Sequence, residues 1–285
     1  MKPLSDFKSN ITSYAGEDGI LQELFRRIGA ENKWCVEFGA RDGYSASNTW
    51  NLIQNHGWRS VQIESDPREA SALKKRYAGN KSVIAIKGFI QAHGPDSLDA
   101  ILARAQAPDA PDLVVIDIDG HDYHIWKSLK GHRPRAVMIE YNETIAYPIE
   151  WVQKLKGPAT GSSLFALQKL GKGMGYELVY AKYGNAIFVD AKAMKGMAPH
   201  AEDIMEQYPA DYQVDRCGQF IQALDGSFVL YGSKNPSWIK KWSGLYKHPG
   251  AQCHIVNGEE VESISPNKES ALVRKIKALR NRISS

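Results

Sequence analysis

The sequence predicts an α/β protein: a parallel sheet with helical crossovers that closes in an antiparallel hairpin, followed by an accessory region. Three observations carry this. Short apolar runs alternate with helical patterns through residues 33–141, a spacing that gives parallel strands joined by right-handed crossovers. The run at 112–117 (DLVVID) is the most apolar and fits a central strand covered on both faces. Strand patterns at 176–180 and 186–189 are separated by residues 181–185 alone, too short for a parallel crossover and suited to a hairpin.

Taken in order, residues 33–40 (KWCVEFGA) read as a strand ending in glycine and 45–56 as a helix. Residues 60–64 (SVQIE) form a second strand, and a helix at 67–77 opens on Pro67, where the missing N–H costs nothing. A third strand at 82–87 (SVIAIK) and a helix at 96–105 precede the central run. A helix at 121–129, a fifth strand at 136–141 (AVMIEY) and a helix at 162–170 lead to the hairpin. Beyond it, residues 191–265 mix aromatics with polar segments and hold a strand pattern at 227–231. A closing helix at 270–283 places Leu272, Ile276, Leu279 and Ile283 on one face among basic residues. The chain thus divides into a cap segment over 1–30, an α/β domain over 31–190 and an accessory region over 191–285.

Composition narrows the function. The 285 residues are 43% hydrophobic and carry a formal net charge of +4, which excludes disorder as the main state. No stretch approaches the roughly 18 apolar residues that cross a bilayer, and residues 1–10 lack the apolar core of a secretory signal. Three cysteines, Cys35, Cys217 and Cys253, are odd and sparse, as suits a reducing compartment, so a cytoplasmic protein is expected. The segment 266–285 holds six basic residues and one acid; its +5 leaves −1 for the rest. The basic balance therefore belongs to a tail, and no nucleic-acid-binding core is expected. That last helix can pack on its own core, pair with a second subunit, or touch an anionic membrane.

Three clusters carry chemistry. Glu37-Phe38-Gly39-Ala40-Arg41-Asp42-Gly43 ends the first strand in a tight turn, where glycines allow positive φ and close ligand approach. The middle glycine of a dinucleotide fingerprint is replaced by Arg41, which weakens a pyrophosphate seat. An acid ahead of Gly39 suits a ligand bearing an amino group; the plain alternative is an ordinary strand-to-helix turn. Glu64, at the end of the second strand, is placed to accept hydrogen bonds from both hydroxyls of a ribose, a role that dinucleotide enzymes share; the alternative is a solvated strand-end carboxylate. Asp117, Asp119, His121 and His124 gather at the carboxyl end of the central strand, beside Glu140-Tyr141-Asn142. Close carboxylates raise one another's pKa or recruit a cation, and such oxygen ligands fit Mg²⁺ better than Zn²⁺. A single histidine, His121, suits a general base, whereas His124 reads as a partly exposed helix residue.

Together these residues resemble class I S-adenosylmethionine-dependent methyltransferases, most closely the FkbM-like group. The resemblance covers about residues 13–190. It rests on Gly16-Glu17-Asp18-Gly19-Ile20, on 37–43 with Ser47-Asn48-Thr49, on Ile116-Asp117-Ile118-Asp119-Gly120, on Gly161-Ser162-Ser163-Leu164, and on the hairpin ending Asn185-Ala186-Ile187-Phe188-Val189. Five α/β units, one more helix and a hairpin are the element order of that group's Rossmann-like sheet. What the resemblance implies is methyl transfer to a hydroxyl of a sugar, polysaccharide or small natural product, with 31–190 binding the cofactor. Glu17 and Asp18, in the segment that would close over S-adenosylmethionine, belong to that cofactor set with Asn48 and Asp117. Gly39, Asp42 and Gly43 would meet its methionine part, Glu64 the ribose, and Lys87 and Gly88 would lie near the adenine. Asp119, Glu140 and His121 are similar to residues that related Mg²⁺-dependent sugar O-methyltransferases place on the metal and as base. Asn142 stands close to where that set has a second acid, and Asp119-Gly120 where the FkbM-like group usually has Glu-Gly.

The leading expectation is therefore an enzyme in which Asp117, Asp119 or His121 deprotonates the acceptor, with Mg²⁺ at Asp119, Glu140 and Asn142 as the candidate metal. Two others stand beside it: a non-catalytic binding module of a glycan-assembly complex that keeps the fold, and an NAD(P)-dependent oxidoreductase.

Overall fold

The structure, a computed structural model, describes residues 2–143, 145, 147, 149–155, 160–194 and 196–197, together with the backbone of four strands between 219 and 264. The chain forms two compact units. The first comprises Met1–Glu143, Tyr147–Leu155 and Gly161–Gln207, and the second Thr144–Ala146, Lys156–Thr160 and Tyr208–Ser285.

In the first unit, strands β1 (Trp34–Phe38), β2 (Arg59–Glu64), β3 (Val83–Lys87), β4 (Leu113–Ile116), β5 (Ala136–Glu140), β6 (Tyr176–Lys182) and β7 (Asn185–Asp190) make one sheet. Its order is β3-β2-β1-β4-β5-β7-β6. The first five strands pair in parallel, whereas β7 runs antiparallel to both β5 and β6. This is a Rossmann-like sheet, parallel through its first five strands and closed by an antiparallel hairpin, as the sequence predicts.

The strand interiors are apolar on both faces because helices cover both. Cys35, Leu113, Val115, Ala136, Met138, Ile187 and Val189 join one core cluster with Leu24, Ile28, Leu52 and Leu73. The alternate residues Val36, Val114, Val137 and Phe188 are buried on the opposite side, where the Trp126 ring lies 4.8 Å from that of Phe188. Cys35 is fully buried, and burial pushes its thiol up to about 12, so it packs as a small hydrophobe.

Helices α2 (Trp50–His56), α3 (Pro67–Arg76), α4 (Leu98–Arg104), α5 (Asp122–Ser128) and α6 (Leu164–Gly173) stand where the pattern predicts helices. The pattern had α2 beginning at 45. The intervening residues are instead drawn into a turn by Glu37, which accepts from Ser47 Oγ at 2.7 Å, Asn48 N at 2.7 Å and Thr49 Oγ1 at 2.6 Å. Residues 17–28, read only as part of a cap segment, form a full amphipathic helix, α1 (Glu17–Ile28). Its Ile20, Leu21, Leu24 and Ile28 are buried in the main core, which makes α1 part of the α/β unit.

The second unit holds a four-stranded sheet, β8 (Gln219–Gln222), β9 (Phe228–Tyr231), β10 (Cys253–Asn257) and β11 (Glu260–Ile264), in the order β11-β10-β9-β8. β9 and β10 are parallel and the other pairs antiparallel. The expected strand at 227–231 corresponds to β9; the expected helix at 270–283 and its basic face lie outside the described residues. No helix among the described residues is long and apolar enough to cross a membrane.

Candidate active site

The carboxyl ends of parallel strands in an open sheet, at the point where strand order reverses, form a natural crevice for a ligand. Here that point lies between β1 and β4, and a cleft of about 470 Å³ opens there. Glu37 and Gly39 line it from the end of β1, Arg41, Ala46 and Asn48 from the following turn, and Glu64 and Ser65 from the end of β2. Glu69 contributes from the first turn of α3, Gly88, Phe89 and Ile90 from beyond β3, and Asp117, Ile118 and Asp119 from beyond β4.

Gly39 shows why the turn is glycine. Its φ is +75°, and a Cβ there would sit 1.8 Å from the Asp117 carbonyl oxygen. The β1 turn and the end of β4 therefore touch backbone to backbone, and this contact brings Glu37 and Asp117 into one cleft. Asp117 N donates to Phe38 O at 3.4 Å across the same junction.

Each predicted side chain has a definite position. Glu37, 3% exposed, is occupied by the three donors of the 47–49 turn, and burial raises its pKa. Glu64, 7% exposed, accepts from Arg41 N at 2.8 Å with Oε2 and from Asp66 N at 2.7 Å with Oε1. Oε1 also accepts from Ser65 Oγ at 3.4 Å; a carboxylate oxygen has two acceptor sites, so Oε2 keeps one.

Burial pushes the Asp117 carboxyl up to about 7, and the neighbouring Asp122 and Asp119 charges add to the effect; Glu140, hydrogen-bonded to it, pulls the other way. Two carboxyl groups in such contact share a proton. Asp119 stands at φ +57° in the loop after β4. Asp122 fixes that loop, accepting from Ile118 N and Gly120 N at 2.9 Å each. Sequence reasoning did not single out Asp122; an acid in the first turn of a helix after a glycine was the available signal.

Other predicted residues do not line the cleft. Asp18 is buried and accepts from the N–H groups of Ile11, Thr12 and Ser13, each at 2.8 Å. Glu17 accepts from Ala15 N at 2.7 Å and from Asn185 Nδ2 at 3.0 Å. Asp42, which burial alone would raise, is held below the usual carboxylate range by the N–H groups of Ser45 and Tyr44 and by Arg76. Gly43 packs against α3, where a Cβ would meet Leu73 at 2.6 Å. Lys87 is exposed beside the cleft-lining Gly88. His121 precedes α5 with its Nε2 buried and without a hydrogen-bond partner among the described residues, while His124 Nε2 meets Gln153 O at 2.6 Å.

Among the described residues, no three His, Cys, Asp or Glu side chains are grouped to hold a metal ion. The Glu140 carboxyl is engaged with Asp117, and Asp122 accepts from two N–H groups of its own loop. The cleft-lining residues that the sequence did not indicate are Arg41, Ala46, Ser65, Glu69, Phe89 and Ile90, with the strand residues Phe38 and Ile63 and the loop residue Ile118. Phe89 and Ile90 follow the end of β3, so the strand-end rule that pointed to Glu64 also reaches them.

No protein-family model matches the chain, and no curated protein does. Solved structures similar to it include the CMeT domain of the citrinin polyketide synthase, at 14% identity and a TM-score of 0.43, covering 61% of this chain and 51% of that one. The chain thus spans about half the length of that structure. The N-terminal domain of EvdMO1, in the presence of SAH and D-fucose, is similar at 12% identity and a TM-score of 0.42, covering 61% and 82%. SAH-bound Podospora anserina methyltransferase PaMTH1 is similar at 14% and 0.40, covering 62% and 79%. At these identities each is a likeness of fold.

Proposed function

We propose that the chain is a cytoplasmic S-adenosylmethionine-dependent O-methyltransferase whose acceptor hydroxyl belongs to a sugar, a polysaccharide or a small natural product. The observation that supports this most is the charge of the cleft: Glu37, Glu64, Glu69, Asp117 and Asp119 line it against the single base Arg41. A sulfonium nucleoside bearing an ammonium group is attracted to such a wall, whereas the two negative charges of a pyrophosphate are repelled. The oxidoreductase reading is weaker for that reason. The motif resemblance to the FkbM-like group supports a glycan or natural-product acceptor.

In this reading Glu64 accepts from the ribose hydroxyls, at the remaining site of Oε2 and in place of the long Ser65 Oγ bond at Oε1, and Gly88, Phe89 and Ile90 wall the adenine. Glu37 acts through the 47–49 turn that it holds, setting the rim around Asn48. Asp117 faces the acceptor. As the hydroxyl oxygen forms its bond to the methyl carbon, the carbon–sulfur bond breaks and its electron pair stays on sulfur, leaving a neutral thioether. The hydroxyl proton passes to the carboxylate pair Asp117–Glu140, with Asp119 and His121 flanking. A carboxyl whose pKa sits near neutrality is suited to take that proton and release it. Holding donor and acceptor in line supplies much of the remaining acceleration.

Calorimetric titration with S-adenosylhomocysteine tests the cofactor assignment: one site on the wild type, weakened at least about tenfold by Glu64→Gln through loss of a charge-assisted bond. Binding of NADH in its place overturns the reading. Incubation with methyl-labelled cofactor and candidate glycans then identifies the acceptor, and Asp117→Asn, Asp119→Asn and His121→Gln separate the three proton acceptors.

A further inference from the structure

The tip of the β6–β7 hairpin holds two cations that the proposed methyl transfer does not use. Tyr183 and Gly184 both have positive φ, +54° and +85°, the geometry of a tight hairpin turn that matches the twist of its strands. An aromatic residue at the first of these positions is strained, and its ring meets both lysine head groups. Lys8 Nζ lies 4.7 Å from the Tyr183 ring centroid and Lys182 Nζ 5.4 Å from the same centroid. The Lys8 stem is fixed from below: a Cβ on Gly16, whose φ is +101°, would stand 2.7 Å from Lys8 Cβ. Neither lysine forms an ion pair with any described residue. Burial, and after it the Lys8 charge, lower the Lys182 pKa.

The hairpin tip adjoins the reacting end of the site. Gly184 O accepts from Tyr141 N at 2.7 Å, and Asn185 pairs with Glu140 across β5 and β7. From Asp117 at the end of β4 to Lys182 at the end of β6 there are three strand spacings, roughly 14 Å in all. A monosaccharide carrying a diphosphate bridges such a distance. Two like charges near one ring, with no counter-ion among the described residues, repel each other; a dianion that accepts from both relieves the repulsion, whereas a single carboxylate neutralises only one.

We propose that Lys8 and Lys182, both held against the Tyr183 ring, bind a phosphoryl group of the acceptor, so that the methylated hydroxyl belongs to a phosphorylated sugar. This rests on the reading of the cleft as the methyl-donor site. The phosphoryl group belongs either to a sugar phosphate or to a nucleoside diphosphate sugar.

The test uses the full chain and the double variant Lys8→Gln, Lys182→Gln, which keeps both stems. Inorganic pyrophosphate, a hexose 1-phosphate and a nucleoside diphosphate are titrated by calorimetry, with and without saturating S-adenosylhomocysteine. Pyrophosphate is expected to bind the wild type, and the double variant to lose about tenfold or more in affinity while melting at the same temperature and binding S-adenosylhomocysteine equally. The tighter of the two organic phosphates identifies the source. Absence of pyrophosphate binding, or equal binding by the double variant, overturns the proposal. Pyrophosphate binding without S-adenosylhomocysteine binding would leave the anion site standing and bring down the donor reading alone.

Discussion

Replacing Gly39 by alanine tests the junction that builds the cleft. The added methyl carbon would sit 1.8 Å from the Asp117 carbonyl oxygen, against an ordinary contact of about 3.5 Å. Either the β1 turn or the end of β4 must therefore retreat by roughly 1.5 Å, since backbone rather than a flexible side chain blocks the space. Positive φ adds about 1–2 kcal/mol for any residue with a Cβ. Gly57 separates the two effects. Its φ is +70°, but a Cβ there meets nothing within 4 Å. Gly57→Ala is expected to cost only the conformational part, a fall in melting temperature of roughly 2–8 °C. Gly39→Ala is expected to lose clearly more, and to weaken S-adenosylhomocysteine binding by up to about 100-fold, because Glu37 and Asp117 separate. Thermal melts and calorimetry on the three proteins check this. Equal melting temperatures for the two variants, with wild-type binding in Gly39→Ala, would refute the reasoning.

Three further outcomes are expected. Glu37→Gln leaves one of its three donors facing an amide N–H, costing about 1–3 kcal/mol and loosening the 47–49 rim, seen as lower melting temperature together with weaker S-adenosylhomocysteine binding. Asp112→Ala strips the buried Arg135 of its 2.6 Å partner and frees the N–H groups of Glu31, Asn32 and Lys33; a loss of roughly 3–5 kcal/mol is expected in denaturant unfolding, with binding unchanged in the folded protein. Asp117 is protonated below about 7 and accepts a proton only when ionised, so the methyl-transfer rate is expected to rise as pH climbs through that value. Asp117→Asn should abolish this limb of the profile.

Much of the architecture was legible because parallel strands buried on both faces are unbroken apolar runs, as in 112–117, and because 181–185 is too short for a crossover. The start of α2 was not legible. It is displaced by hydrogen bonds from residues 47–49 to Glu37, ten to twelve positions earlier, which local pattern does not encode. Helix α1 was legible in the spacing of Ile20, Leu21, Leu24 and Ile28, but the glycines around Glu17 drew the reading toward a motif. At the site, strand ends gave Glu37, Glu64 and Asp117. What sequence does not show is how each carboxylate is used. Asp18 and Asp42 look like ligand contacts in the chain, yet Asp18 Oδ2 is taken by three backbone N–H groups and the Asp42 oxygens by backbone N–H groups and Arg76. The lysine pair at Tyr183 joins residues 8 and 182–183, a proximity that only the folded sheet creates.

A crystal structure of the full chain grown with S-adenosylhomocysteine bears most directly on the central claim. The account predicts density for the nucleoside in the slot between the β1 turn and the end of β4, its ribose hydroxyls on the Glu64 carboxylate and its sulfur directed at Asp117. Density elsewhere, or an empty slot at saturating ligand, would contradict it.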